Sequence, residues 1–209
     1  MDNALLVTGI CGSLREGSYT LKALKIALQG AEEAGAETKL LDLRDYELAF
    51  CDGRFKKETY PEDVSKLKDE VRKSQGIILG TPEYHSGYSG VLKNALDLMG
   101  FDEFGGKMVG LLGVAGGSMG ATNALNGLRM IGRALHAWVI PDQVSIPQAG
   151  TMFDESGKIR DDRLNERIKN LGNQVTKFAL LHDIGKSKDF LEAWEGAPVN
   201  PGAAIKSEE

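Results

Sequence analysis

The sequence has few cysteines, no long hydrophobic run and no excess of positive charge. Its two cysteines, Cys11 and Cys51, are too few for a disulfide framework or a four-thiolate metal site. No apolar segment near the N-terminus approaches the length of a signal peptide or a membrane span, which predicts a cytoplasmic protein. The formal net charge of -5 and the lack of a basic stripe argue against binding to nucleic acid.

What the chain does contain is typical of a globular protein with one main domain. Its 209 residues are 42% hydrophobic and 26% charged, and a chain of that length can bury a sizeable core. We expect this domain to span residues 1–185. Prolines, glycines, alanines and a charged end predict an extended or partly disordered tail over residues 186–209.

Apolar runs alternate with helical stripes along the chain. Five runs predict strands, over residues 4–10, 38–43, 76–80, 107–115 and 137–140. Between and after them, apolar residues recur three or four apart, as on one face of a helix. This alternation predicts an α/β fold with a doubly wound parallel sheet. In such sheets ligands bind outside the carboxyl ends of the strands, where the strand order reverses.

A loop of small polar residues, GSLREGSYT over residues 12–20, joins the first predicted strand to the first predicted helix. The free N–H groups and the positive end of the dipole at a helix N-terminus attract anions. Ser13, Ser18 and Thr20 add hydroxyl donors and Arg15 adds a cation, so the loop can hold a phosphate. It lacks both the Gly-Lys-Ser/Thr ending of a triphosphate loop and the G-x-G-x-x-G fingerprint. A plain strand-to-helix turn with Ser18 as N-cap explains the loop equally well.

Three turn-rich loops follow the first, third and fourth predicted strands, over residues 11–20, 81–90 and 115–120. They carry Arg15, Glu83, Tyr84, His85 and Ser118. In a doubly wound sheet all three loops lie at the same edge, and their coincidence there favours a shared ligand over ordinary turns.

The three loops resemble motifs of the NADPH-dependent FMN reductases, a group that includes quinone, chromate and azo-compound reductases. The motifs read GSLREGS, TPEYHSGYSGVLKNALD and GVAGGSMG, and the second is the most specific. They occur in the family's order, and the resemblance covers residues 5–147. It implies a flavodoxin-like fold, a five-stranded doubly wound parallel sheet with strand order 2-1-3-4-5.

The resemblance also implies an FMN site built from these loops. The phosphate would be held by Ser13, Arg15, Ser18 and Thr20, with Tyr19 in the same cofactor-binding segment. The isoalloxazine ring would lie along Pro82, Glu83, Tyr84, His85 and Ser86. The pyrimidine end of the ring would approach Gly116, Gly117 and Ser118, where glycine permits close backbone contact.

The function implied by the resemblance is transfer of hydride from NADPH or NADH to FMN, and of two electrons to a quinone-like acceptor, by a ping-pong cycle. This chemistry needs no side-chain nucleophile or general acid, so we expect no catalytic residue. We expect no metal site either. The family's homodimers and homotetramers imply a homo-oligomer. Three alternatives remain: a flavin reductase that releases reduced FMN to a partner monooxygenase, a non-enzymatic flavodoxin-like electron carrier, and a flavin-binding regulatory protein.

Three charged residues have structural interpretations beside their functional ones. We expect Glu83 to anchor its loop, through its backbone as much as through its carboxylate. Arg129 and Arg133 lie four residues apart on one predicted helix and could bind the phosphates of a nicotinamide dinucleotide. A solvated face or an interface salt bridge is the favoured interpretation of this pair.

Overall fold

The structure, a computed structural model, describes residues 5–54 and 60–186. Within these ranges five parallel strands form one sheet, in the order β2-β1-β3-β5-β6. They are β1 (Leu6–Cys11), β2 (Glu37–Asp42), β3 (Gly76–Tyr84), β5 (Met108–Val114) and β6 (Trp138–Ile146). A short strand, β4 (Gly87–Tyr88), pairs antiparallel with the end of β3. The predicted order 2-1-3-4-5 of the five parallel strands is confirmed.

Helices cover both faces of this sheet. The described residues form α1 (Tyr19–Glu33), α2 (Glu62–Arg72), α3 (Gly90–Asp97), α4 (Phe101–Phe104), α5 (Thr122–Ala134), α6 (Ala149–Met152) and α7 (Asp162–Lys186). Apolar residues of α1 and α7 pack in one core, and those of α2, α3 and α5 pack in a second core on the opposite face.

Strand β3 shows why its sequence is a continuous apolar run. Ile78 belongs to the core that contains α1 and α7, whereas Ile77 and Leu79 belong to the other core. Successive side chains of a strand point to opposite faces, so a strand buried on both faces cannot alternate with polar residues. Continuous apolar runs of this kind are therefore the feature of the sequence that predicts a parallel sheet.

Helices α1 and α7 approach each other through glycines. A Cβ atom on Gly30 would lie 2.0 Å from the carbonyl oxygen of Lys169, and one on Gly172 would lie 1.8 Å from that of Ala27. Only glycine fits at either contact. The close packing fixes α1 on the sheet, with its N-terminus at the carboxyl edge.

The loop predicted over residues 81–90 is partly strand. Strand β3 continues to Tyr84, and Glu83 pairs with Tyr88 across a tight hairpin. The sequence lacks the Asn-Gly or Asp-Gly turn that would have indicated a hairpin here. The prediction that strand structure ends at residue 80 is therefore wrong.

The last predicted strand is also too short. Strand β6 continues past residue 140 to Ile146, and its register on β5 shifts between Val109 and Leu111. This irregularity lets the strand pass Pro141, which an edge strand tolerates because one side of it needs no ladder hydrogen bond. Arg129 donates to the carbonyl oxygens of Ile140 and Pro141 at 2.9 and 3.2 Å. Arg129 thus supports this irregular strand, a contact that neither the solvated-face nor the interface interpretation of the pair included.

The predicted tail over residues 186–209 lies outside the described residues, apart from Lys186 at the end of α7. The domain boundary at residue 185 stays a prediction. In the described part of the chain, none of the helices has the length and apolar character needed to cross a membrane.

Candidate functional site

A cleft of about 480 Å³ opens at the carboxyl edge of the sheet. Four segments line it: the β1–α1 turn, the end of β3, the end of β5 and the start of α6. Most of the predicted site residues lie in its walls, namely Ser13, Arg15, Ser18, Tyr19, Thr20, Pro82, Glu83, Tyr84 and Gly116. The structure therefore brings together residues of all three predicted loops.

The β1–α1 turn forms one corner of the cleft. Ser18 is the N-cap of α1, and its Oγ accepts a hydrogen bond from the N–H of Leu21 at 3.2 Å. The N-cap interpretation of Ser18 is thus confirmed, and it is compatible with ligand binding because the hydroxyl hydrogen can still be donated. Ser13 and Thr20 are buried beside it.

The charges in this corner favour an anion. The first turn of α1 contains no acidic residue, so the positive end of the helix dipole is not offset within the helix. Arg15 is exposed and lines the cleft, and it adds a full positive charge. Glu16, its neighbour, also lines the cleft and opposes that charge. A phosphate here would meet one guanidinium, three hydroxyl groups and the first amides of a helix.

The base of the turn is tied to the rest of the sheet edge. The N–H of Gly12 donates to the carbonyl oxygen of Gly80 at 2.8 Å. The hydroxyl of Ser89 donates to the carbonyl oxygen of Gly12 at 2.6 Å, and its oxygen accepts from the N–H of Leu92 as the N-cap of α3. Sequence reasoning missed Ser89, although a serine before the apolar stripe of a helix is a known cap signal.

Cys11 ends β1 directly before this turn and is fully buried. Burial raises the pKa of its thiol to about 11, so the thiol stays protonated at neutral pH and supplies no nucleophile.

The hairpin of β3 and β4 forms a second wall. His85 and Ser86 make its turn with φ angles of 49° and 62°, and neither is glycine. Two successive positive φ angles define the type I′ turn that matches the twist of paired strands. Both residues are exposed at the tip of the hairpin and are not among the residues that line the cleft.

Glu83 anchors this wall to helix α5. Its Oε2 accepts a hydrogen bond from the N–H of Ala124, in the first turn of α5, at 3.0 Å. The expected anchoring role of Glu83 is confirmed. Tyr84, the next residue, lines the cleft with 47% of its surface exposed.

The third wall joins the end of β5 to the start of α6. Ala149 donates its N–H to the carbonyl oxygen of Ala115, and Gln148 donates to that of Gly117, both at 3.0 Å. Gly116 lines the cleft, whereas Gly117 and Ser118 lie farther along the exposed turn and do not. A Cβ atom on Gly116 would meet nothing within 4 Å, so the space beside it is open.

Sequence reasoning missed the contribution of Ala149 and Gly150 to the cleft. The prediction ended the last strand at residue 140, so the segment that carries them was not placed at the sheet edge. The alternation of buried Val144 and Ile146 was the available signal.

The chemistry of the side chains in the described residues does not favour a metal. Nowhere in residues 5–54 and 60–186 do three or more His, Cys, Asp or Glu side chains come together as a metal site would require. The donors of the cleft are instead hydroxyls, backbone amides and one guanidinium, beside a wall of apolar and aromatic groups. This set fits a molecule with an anionic tail and a flat ring, and FMN is such a molecule.

Comparison with known proteins gives consistent matches. The family model described as NADPH-dependent FMN reductase matches residues 5–151. An NADPH azoreductase of Bacillus sp. (strain OY1-2) is 38% identical over 141 residues, which cover 68% of this chain and 74% of the relative. An NAD(P)H-dependent FMN reductase of Pseudomonas aeruginosa is 32% identical over 178 residues, which cover 81% of this chain and 92% of the relative.

A solved structure shows the same architecture. The flavoenzyme NAD(P)H:(acceptor) oxidoreductase of Paracoccus denitrificans matches with a TM-score of 0.65 and 26% identity, over 85% of this chain and 98% of that one. All segments that line the cleft fall within residues 5–151, the range that the family model matches.

Proposed function

The chain belongs to the NADPH-dependent FMN reductase family, and we propose that it passes two electrons from NADPH or NADH, through FMN bound in the cleft, to a quinone or azo compound. As a member of this family it is an oxidoreductase that uses FMN as cofactor and NAD(P)H as co-substrate. Beyond this we propose the identity of the acceptor and the order of the two half-reactions.

The observation that carries the proposal is the cleft, which has a polar corner and a flatter, more apolar wall. We assign the phosphate to the corner formed by Ser13, Arg15, Ser18, Tyr19 and Thr20. We assign the isoalloxazine ring to the wall formed by Pro82, Glu83, Tyr84 and Gly116. His85, Ser86, Gly117 and Ser118 stay predicted contacts, from the hairpin tip and the exposed turn beside this wall.

The residues of the chain have binding and orienting roles in this reaction. When bound, FMN accepts the hydride and supplies the electrons for the acceptor. Charge-assisted hydrogen bonds from Arg15 and the first turn of α1 would hold the phosphate, each contributing about 1.5–3 kcal/mol. The exposed Tyr84 and Gly116 leave the ring end of the cleft open to solvent.

The open ring end is the basis for proposing the ping-pong order. NAD(P)H and the acceptor must each reach the same ring, and in a ping-pong cycle they occupy the space beside it in turn. Azo compounds are plausible acceptors because a relative that is 38% identical is an NADPH azoreductase. We further propose that the protein acts in the cytoplasm as a homodimer or homotetramer, as the family resemblance implies.

The test is a spectrum followed by steady-state kinetics. Purified protein should be yellow or become so with FMN, and should retain FMN through gel filtration. It should oxidise one NADPH per bound FMN without an acceptor, and more than that only when benzoquinone or an azo dye is present. Parallel double-reciprocal lines would support the ping-pong order, whereas intersecting lines would exclude it. Loss of FMN in the column together with release of reduced flavin would favour the flavin reductase alternative.

A further inference from the structure

The β3–β4 hairpin touches helix α5 at two points. Glu83 accepts the N–H of Ala124 at 3.0 Å. The ring of Tyr88 lies against Gly127, where a Cβ atom would be 2.6 Å from Tyr88 Cε1. Glu83 and Tyr88 are directly opposite each other in the antiparallel pair, so their side chains leave the hairpin on the same face. One polar contact and one apolar contact therefore join this face to α5.

Helix α5 depends on groups outside itself at its start. Its N-cap residue is Ala121, which makes no side-chain cap, and its first turn contains no acidic residue. Glu83 supplies the missing negative charge at the positive end of the helix. It also accepts a hydrogen bond from one of the backbone N–H groups that have no partner within the helix. The N–H of Ala121 is satisfied by Ser145 Oγ at 2.8 Å. The start of α5 is thus held from β3 on one side and from β6 on the other.

The turn over residues 115–120 runs from β5 directly into this part of α5. Fixing the start of the helix therefore also fixes the C-terminal end of the turn. The hairpin and the turn are the two segments assigned to the flavin ring. The phosphate corner is held through different contacts, those of Gly12 with Gly80 of β3 and with Ser89, which follows β4.

We propose that Glu83 and Tyr88 are positioning residues that set the separation of the hairpin from the 115–120 turn and so control binding of the flavin ring. The inference rests on the proposed FMN site. It distinguishes two determinants of affinity. The contacts of Glu83 and Tyr88 with α5, which we call the clamp, affect binding of the ring, whereas Arg15 and its neighbours bind the phosphate. A side chain that only capped α5 would change stability without changing flavin affinity.

Riboflavin separates the two determinants because it has the ring of FMN without the phosphate. In Glu83→Ala we expect the dissociation constants of FMN and riboflavin to rise together by about tenfold, the factor expected for losing one capping hydrogen bond to a charged group. Their ratio should stay at the wild-type value. Glu83→Gln keeps an acceptor oxygen and should recover part of the loss. Gly127→Ala pushes against the Tyr88 ring and should weaken both flavins similarly.

Asp161→Ala is the matched control. Asp161 Oδ1 accepts the N–H groups of Arg163 and Leu164 at the start of α7, and Asp161 does not line the cleft. This variant also loses a capping carboxylate, so it should lower stability while leaving both dissociation constants unchanged. Unchanged flavin affinity in Glu83→Ala and Gly127→Ala would overturn the proposal. A loss of affinity for FMN without a loss of affinity for riboflavin would also overturn it.

Amide hydrogen exchange of the flavin-free protein tests the clamp without any ligand. Exchange at Ala124 and at residues 87–88 should become faster in Glu83→Ala, and not in Asp161→Ala. Unchanged exchange at these amides would overturn the clamp and leave the proposed function standing. Failure of the wild-type protein to bind either flavin would instead overturn the proposed function, together with the role of the clamp in ring binding.

Discussion

The rings of Tyr19 and Phe153 stack with their centroids 5.1 Å apart and their planes at 24°. Tyr19 is the first residue of α1 and lines the cleft, while Phe153 directly follows α6 and is buried. The contact joins the phosphate corner to the segment that carries Ala149 and Gly150. Two walls of the cleft are therefore held together by an aromatic pair.

Replacing Phe153 should loosen this connection. Phe153→Ala is expected to lower the free energy of unfolding by about 3–5 kcal/mol, the usual cost of emptying a buried phenylalanine site. It should also weaken FMN binding, because the wall at Ala149 and Gly150 loses its support. Urea unfolding and FMN titration measure the two effects, with Phe153→Leu as the milder control. A stability loss below about 1 kcal/mol would contradict the packing seen here.

Arg15→Ala should weaken FMN binding about tenfold or more, since it removes a charge-assisted contact of about 1.5–3 kcal/mol. Riboflavin affinity should not change because riboflavin has no phosphate. Arg133→Ala is the control, since Arg133 is exposed and lies outside the cleft lining. Fluorescence titration with both flavins gives the result, and equal losses for FMN and riboflavin would remove Arg15 from the phosphate site.

Glu16→Gln should tighten FMN binding. The carboxylate lines the same corner as Arg15 and would repel the dianionic phosphate assigned to that corner. We expect an increase in affinity of about twofold to fivefold at low salt, which shrinks as ionic strength rises and screens the charges. An affinity that is unchanged at low ionic strength would show that Glu16 does not face the phosphate.

Glu103 is a buried carboxylate of α4 that faces α2. It lies 2.6 Å from the half-exposed Arg72 guanidinium and accepts a hydrogen bond from the N–H of Gly100 at 2.8 Å. Glu103→Ala takes the acceptor away from the N–H of Gly100, while Arg72 keeps its ion pair with Asp69, so we expect a loss of about 1–3 kcal/mol of stability. Asp97→Ala, which breaks the exposed pair with Lys93, should have a much smaller effect. Urea midpoints compare the variants, and similar losses would argue against the buried network.

The two cysteines should differ in reactivity towards a thiol reagent. Burial raises the pKa of Cys11 to about 11, so at pH 8 it has almost no thiolate, whereas Cys51 is exposed. The native protein should react quickly at one thiol and the denatured protein at two. Cys51→Ser should abolish the fast reaction, and rapid labelling of that variant would show that Cys11 is accessible.

The sequence alone determined the features that depend on neighbouring residues. The apolar run of β3 predicted a strand buried on both faces, because such a strand has no exposed side on which to place polar groups. The segment from Ser13 to Thr20 predicted one corner of the cleft, because a helix N-terminus and its cap are encoded within a few residues. Motif resemblance then supplied the strand order and the cofactor.

Only the tertiary structure decided which distant groups complete the site. The bond from Glu83 to Ala124 joins residues 41 positions apart, and no local pattern encodes such a partner. The bent strand that brings Ala149 and Gly150 to the cleft was hidden by Pro141, which in sequence indicates the end of a strand. In the strand, long-range pairing overrode local preference, because the sheet satisfies backbone groups that an isolated segment would leave to water.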